Sequence, residues 1–318
     1  MEFFRLQCRI RWHLGHSFTR NGFPNGYSGA TPAYAPYTQF DSAGNVIGGL
    51  GTAMIVTDRS HSSYHALQTS VQGNLGHNGP DIQASYTWSK SIDDTSSVLG
   101  GFISGTSGAS AQAWPQNPAD TRAEKGLSTF DTPQAFSASV IQDLHMDKAN
   151  FLAWLPQKAK FGWQLLSIST LTSGTPFTVY SGVQQTGVGS NGVDRPNLVS
   201  TPIFSTSRKI REDYFGLGSQ NPSFFSIPVG QFGTLGRDTF RGPSFHNFDF
   251  ALIKNTTLAT HASGGEIAVL QFRAEFFNLF NIVNFGLPSN IVTGSGFGEI
   301  SRTAGTSRQI QFSMKLIF

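Results

Sequence analysis

Few side chains in this sequence are spaced for chemistry. His61 and His65 are the closest thing to a metal-ligating pair. Four residues apart on a strand they sit about 13 Å apart, too far to share one ion. They read instead as polar residues beside a loop–strand junction. Gly294-Ser295-Gly296-Phe297-Gly298 has the glycine content of a phosphate loop, but no strand-to-helix pattern surrounds it. Asp93-Asp94 offers two carboxylates to a cation at a surface, against the plainer reading of a solvated loop start. Asn255-Thr256-Thr257 matches a glycosylation sequon in what reads as a short turn and carries no argument. The single cysteine, Cys8, excludes a disulfide framework and a Cys-rich metal site. No Ser–His–Asp set or pair of catalytic carboxylates emerges. The sequence predicts no enzyme, no cofactor and no metal.

The remaining charges acquire meaning only from the elements that carry them. Phe4, Leu6, Cys8, Ile10, Trp12 and Leu14 alternate with Arg5, Gln7, Arg9, Arg11 and His13. Period-two alternation of this length predicts a strand with one apolar and one polar face. The pattern recurs over 64–76, 80–91, 134–145, 245–254, 267–279 and 306–318, and in mixed form over 161–173. Helical spacing is nearly absent. The reading is all-β, with about eight strands of roughly 10–14 residues, well above the globular mode of about 5–6. A tilted strand crosses a bilayer in about 9–11 residues.

Composition points the same way. Of 318 residues, 13% are charged, about half the share usual in soluble domains. Phe alone contributes 28 residues, an odd choice for a chain that must stay dissolved. The net charge of +3 is spread along the chain without a basic stripe, so nucleic acid is not an expected partner. No apolar run reaches the length of a transmembrane helix. The N-terminus lacks the basic start and apolar stretch of a signal peptide, which suggests a fragment of a longer protein.

The connections alternate in length. Residues 15–63, 92–133, 174–244 and 281–305 are long; 77–79 and 255–266 are short, and 146–160 intermediate. Membrane barrels have short periplasmic turns and long extracellular loops. His77-Asn78-Gly79 contains the Asn-Gly pair of a tight hairpin. The long loops, as at Gly187–Pro196 and Gly100–Ser110, read as turns without packed core. In hydrocarbon every backbone N–H and C=O must pair within the protein, so such a sheet closes into an antiparallel transmembrane β-barrel. Its apolar faces meet outer-membrane lipid and its polar faces a hydrated lumen. Arg5, Arg9, Arg11, Asp249, Arg273 and Glu275 are then lumen-facing candidates. The arginines have Asp249 or Glu275 as prospective partners, and Arg273 and Glu275 are expected to pair with each other across neighbouring strands, the other reading being contact with solute. Trp12, Tyr86, Trp88 and Phe136 fall near the outer interface, and Trp163 and Phe318 near the periplasmic one. The chain stops on Phe318, preceded at alternate positions by Leu316, Met314, Phe312 and Ile310. This has the form of a signal read by the barrel assembly machinery.

Several motifs follow in order: Ser62–Gln68, Gln83–Asp94, Ser173–Phe177, Arg195–Leu198, Leu235–Pro243, Gln271–Asn281, Asn284–Gly286 and Arg308–Phe312. Together they resemble the C-terminal part of the Oar-like TonB-dependent transporter barrels. The resemblance implies a barrel of about 22 strands around an N-terminal plug. It implies uptake of a scarce nutrient across the bacterial outer membrane. A periplasmic energy-coupling protein would act only through the plug, which has no counterpart in these residues. Two other readings are a secreted all-β adhesion or carbohydrate-binding protein and a self-contained eight-stranded barrel.

Overall fold

The computed structural model describes the backbone of residues 5–16, with short runs at 20–22, 38–40, 42–43, 46–49 and 55–57. From there it describes 60–96, 115–117, 120–145, 154, 156–183, 185 and 194–318, apart from 77, 203, 205–210, 216–222 and 261–265. Eight long strands carry the architecture: β1 (Arg5–His16), β2 (His61–Asn74), β3 (Asp81–Asp93), β4 (Gln134–Leu144), β5 (Trp163–Thr172), β6 (Phe245–Thr260), β7 (Glu266–Phe277) and β8 (Gln309–Ile317). Each pairs antiparallel with the next, so the sheet is an up-and-down meander. Gly126–Leu127 adds a short pairing to the end of β3. Among the described residues β1 and β8 do not pair, and the sheet has two free edges.

The register shows why alternation was the informative signal. Leu67 lies opposite Trp88, Tyr86 opposite Phe136, and Leu144 opposite Trp163. Leu165 lies opposite Leu252, Phe250 opposite Phe276, and Ala274 opposite Phe312. The predicted apolar faces of β2, β3, β4, β6, β7 and β8 therefore land on one side of the sheet with Trp163 and Leu165 of β5, while Leu166 and Ile168 of the mixed strand β5 fall on the other. Glutamines, serines and threonines predominate on the other, with charged residues such as Asp249, Arg273 and Glu275 among them. Both sides are largely exposed or half-buried, with Trp88 at 59% and Phe312 at 66%. No second sheet packs on this one among the described residues. Such a wall leaves its apolar side to be covered by something other than protein core.

Connections segregate by end. Residues 94–133, 173–244 and 278–308 leave one end of the sheet; 75–80, 145–162 and 261–265 join strands at the other. Three expectations need correction here. First, residues 255–260 continue β6 and do not begin a turn. Asn255, Thr256 and Thr257 pair with Gln271, Leu270 and Val269, so the sequon lies in a strand. Polar residues read as a break, yet threonine's branched side chain suits a pleated surface. Second, the left-handed residue of the β2–β3 hairpin is Gly76, at φ 94°, and not the Asn-Gly pair. Gly79 is still required: its N–H donates to the Gly76 carbonyl at 3.0 Å, and a Cβ there would lie 1.9 Å from the Leu75 oxygen.

The third correction is the largest. The long connections hold the molecule's hydrophobic core. Phe177, Val179, Tyr214, Phe215, Phe224, Phe225, Leu235 and Phe240 come from the β5–β6 connection, and Val292, Phe297 and Ile300 from the β7–β8 connection. Phe215 stacks on Phe297 with ring centroids 5.0 Å apart. Phe240 meets Phe225 edge-on at 5.9 Å. Such pairs contribute about 0.5–1.5 kcal/mol each beyond area burial. Two ribbons frame this core, Pro176–Phe177 with Phe240–Arg241 and Asn197–Leu198 with Phe225–Ser226. A bridge from Tyr180 to Ile291 joins the two connections. The wall is therefore topped by a folded cap.

Candidate functional site

Two surfaces are candidates for function: the polar side of the wall and the cap above it. On the wall, Arg273 and Glu275 form an ion pair at 2.9 Å. They lie two apart on β7, so the pair runs along one strand and not across neighbours as expected. Asp249 on β6 accepts the Asn278 N–H at 2.9 Å. It therefore fastens the turn after β7. The side chains of Arg5, Arg9 and Arg11, like that of Trp12, lie outside the described residues. Glu275 and Asp249 have the partners just named. This side also carries uncharged hydrogen-bonding groups, among them Gln68, Gln72, Gln83, Ser85, Ser137 and Ser139, with Asp81, Asp143 and Lys315 and the apolar Ile141, Leu166 and Ile168 interspersed.

Three arginine ties hold the cap: Arg237 and Arg241 fasten it to the end of β3, the second through Asp131, and Arg195 joins two of the connections to each other. Arg237 ion-pairs with Asp93 at the end of β3 and donates to the Asp93 carbonyl at 2.7 Å. It also reaches Ser96 Oγ at 3.1 Å and the Glu124 carbonyl at 3.0 Å. Arg241 pairs with Asp131 and donates to the carbonyls of Asp131 and Gly174, both at 3.2 Å. Asp131 in turn accepts the Ser91 N–H from β3 at 2.5 Å. Arg195 meets Glu124 through two bonds, at 2.8 and 3.1 Å, with both side chains 2% exposed. Its Nε donates to the Leu235 carbonyl at 2.8 Å and its N–H to Gln116 Oε1 at 2.7 Å. A planar guanidinium suits this role because its five donors can serve several segments at once.

Asparagines do similar work below the β7–β8 connection. Asn284 exchanges two 2.8 Å bonds with the backbone of His246, imitating a strand partner. Asn278 and Asn281 sit at φ 51° and 52°, a region asparagine tolerates better than most side chains. Asn281 Oδ1 accepts the Arg308 N–H just before β8.

Asp93-Asp94 is thus neither a cation site nor a solvated loop start. Asp93 is 2% exposed and committed to Arg237. Asp94 accepts the His61 N–H at 2.9 Å. Gly294–Gly298 is a core-inserting turn: Gly296 and Gly298 adopt positive φ and Phe297 enters the aromatic cluster. Among the described residues no group of three or more His, Cys, Asp or Glu is placed to hold a metal.

Burial perturbs several titrations in the cap. It pushes the Asp238 carboxyl up to about 6, against the opposing pull of Arg237 and the Thr178 hydroxyl bond. Burial also raises Tyr214 to about 12. Tyr180 is raised further by burial and by the Asp238 charge. For Arg237, burial alone would lower the value, but Asp238 and Asp93 outweigh it and the net direction is upward. The arginine remains charged in every accessible condition. This arrangement can bind segments of its own chain rigidly.

The C-terminal candidates remain on the open side of the sheet. Phe312, Met314 and Leu316 are exposed on β8, and Phe318 extends past its end at 95% exposure. Trp88 and Phe136 lie toward the cap end of the wall, and Trp163 at the opposite end.

Sequence reasoning missed Arg195, Arg237 and Arg241 as ties, although all three occur in the motifs carrying the family resemblance. Compared with known families, the chain matches a model described as an outer membrane beta barrel domain over residues 12–311. No curated protein and no solved structure matches it.

Proposed function

The chain belongs to the outer membrane beta barrel domain family and resides in the bacterial outer membrane; from that premise we propose that it forms the C-terminal wall of a TonB-dependent transporter. Its apolar side faces lipid and its polar side lines the path of a nutrient. The observation that carries this reading is the eight-strand meander with free edges at β1 and β8. Hydrocarbon does not tolerate unpaired edges, so further strands complete the cylinder. An even barrel of eight strands is a known architecture, but it would require a β1–β8 pairing that is absent among the described residues. The ordered motifs support the finer family assignment, and the folded cap supplies a fixed extracellular surface over the lumen. Energy coupling would act through a plug domain and not through these residues.

The reading is tested in cells making the full reading frame. Accumulation of labelled nutrients is measured with and without the periplasmic energy-coupling protein, together with site-directed cross-linking to that protein. Coupling-dependent accumulation and a cross-link are expected. An outer-membrane protein giving neither refutes the transporter assignment and leaves the family membership standing.

A further inference from the structure

The polar side of the wall is not uniform. At the turn end of β2, β3 and β4 it forms a cleft of about 270 Å³, lined on that side by Gln72, Asn74, Asp81, Gln83, Ser139 and Ile141. The strands set these residues in two rows. Gln72 lies opposite Gln83, and Gln83 opposite Ser139; Asn74 lies opposite Asp81, and Asp81 opposite Ile141. Neighbours in a row stand about 5 Å apart, the spacing of paired strands. One row is braced: Asn74 Nδ2 donates to Asp81 Oδ1 at 2.8 Å and to the Gly79 carbonyl at 3.3 Å. The other is idle. Among the described residues, the side chains of Gln72, Gln83 and Ser139 have no hydrogen-bond partner in the protein.

Two amides and a hydroxyl, each able to donate and to accept, make a row of mixed hydrogen-bonding capacity. The hydroxyls of a sugar match it, because each of them also donates and accepts. The cleft has an aliphatic flank as well. Ile141 is 41% exposed, and Ile168, next to Ser139 in its row, is 50% exposed. Water gives no return for that exposure, whereas the C–H face of a sugar ring would cover it. Among the described residues, Asp81 is the only charge in the lining, which leaves a carboxylate or phosphate on a solute without a counter-charge. The volume lies at the lower end of the range for small-molecule sites, with room for one ring of a longer chain. Main-chain ladders hold all three strands, so the cleft is preformed and little ordering is needed on binding.

We propose that this cleft is a subsite for a neutral oligosaccharide on the nutrient path, with Gln72, Gln83 and Ser139 binding its hydroxyls and Ile141 and Ile168 its ring faces. This rests on the reading of the polar side as the lumen of a transporter, and it names the class of solute. The test is saturation-transfer NMR on the full-length protein in phospholipid nanodiscs. The probes are maltotriose, cellotriose and xylotriose, with triglycine as the comparison peptide. At least one trisaccharide is expected to bind. Its affinity is expected to fall about tenfold or more in the double variant Gln72→Ala/Gln83→Ala, and to stay unchanged in Gln68→Ala, further up the same side of β2. The heat-modifiable band shows that each variant is folded. The sugar subsite is overturned if no trisaccharide binds, if the double variant binds as the wild type does, or if triglycine binds with the same dependence on Gln72 and Gln83. None of these touches the transporter reading, which falls instead if the wild type shows no coupling-dependent accumulation of any nutrient.

Discussion

Breaking the Arg195–Glu124 pair is the sharpest perturbation available to the cap. Arg195→Leu leaves the Glu124 carboxylate at 2% exposure with the Gln116 N–H, at 2.9 Å, as its one remaining direct bond. The carbonyl of Leu235 loses its donor as well. Removing one member of a buried pair costs about 3–5 kcal/mol. At about 1.4 kcal/mol per tenfold, the opening equilibrium of the cap rises by roughly two to three and a half powers of ten. Glu124→Leu strands the arginine and costs a similar amount. The double replacement removes both charges, so it is expected to be milder than the sum by about 2 kcal/mol or more. The assay is amide hydrogen exchange in lipid vesicles, read on Phe177–Ser181 in the cap, with β3 to β5 as the internal reference. Cap amides are expected to lose protection while the wall keeps its own. If the two single effects simply add, the charges are not coupled and the tie works through its backbone bonds alone. If cap and wall lose protection together, the cap is not a separately opening unit.

Two further outcomes follow from the same geometry. Asp238 is raised to about 6 from an ordinary 3.8, so its neutral form is favoured in the folded cap. Its contribution to stability is complete below about pH 4 and is lost as pH rises through about 6. Asp238→Asn keeps an acceptor for Thr178 at a positive φ that asparagine tolerates, and is expected to flatten that part of the pH profile. The denaturant midpoint of the near-ultraviolet circular dichroism of the aromatic cluster, followed from about pH 4 to 7, checks this; an unchanged slope counts against it. On the wall, Phe312→Arg places a charge on the lipid side and is expected to cost about 2–4 kcal/mol near the bilayer midplane. Ser313→Arg, on the polar side beside Arg273, is expected to be far milder. The folded, heat-modifiable band after refolding into vesicles compares the two, and equal losses would contradict the assignment of sides.

The wall was legible because a strand's two sides repeat every second residue, and a bilayer asks for that repeat over the whole strand. Leu67, Tyr86, Phe136 and Phe312 each announce their side locally. The cap has no such repeat. Phe177, Phe215, Phe240 and Phe297 are brought together from distant positions, each embedded in glycine, proline and serine that read as turn. Arg195, Arg237 and Arg241 gave only a compositional hint: arginines next to Gly, Pro or Asp within ordered motifs. Their partners, Glu124, Asp93 and Asp131, lie 71, 144 and 110 residues away. No spacing rule links residues so far apart. The end of β6 was misplaced for a simpler reason, since Asn255-Thr256-Thr257 looks like a turn until β7 is set beside it.

Those separations also set an order of events during biogenesis. Joining residues 144 positions apart carries a loop-closure cost until the intervening strands have paired. Arg237 therefore meets Asp93 late, after β4 and β5 have already drawn the two ends of the sheet together. The aromatic cluster waits longer still, because Phe297 and Ile300 arrive only after β7 has been laid down. Closure of the cap is thus expected after pairing of the strands that bring its segments together.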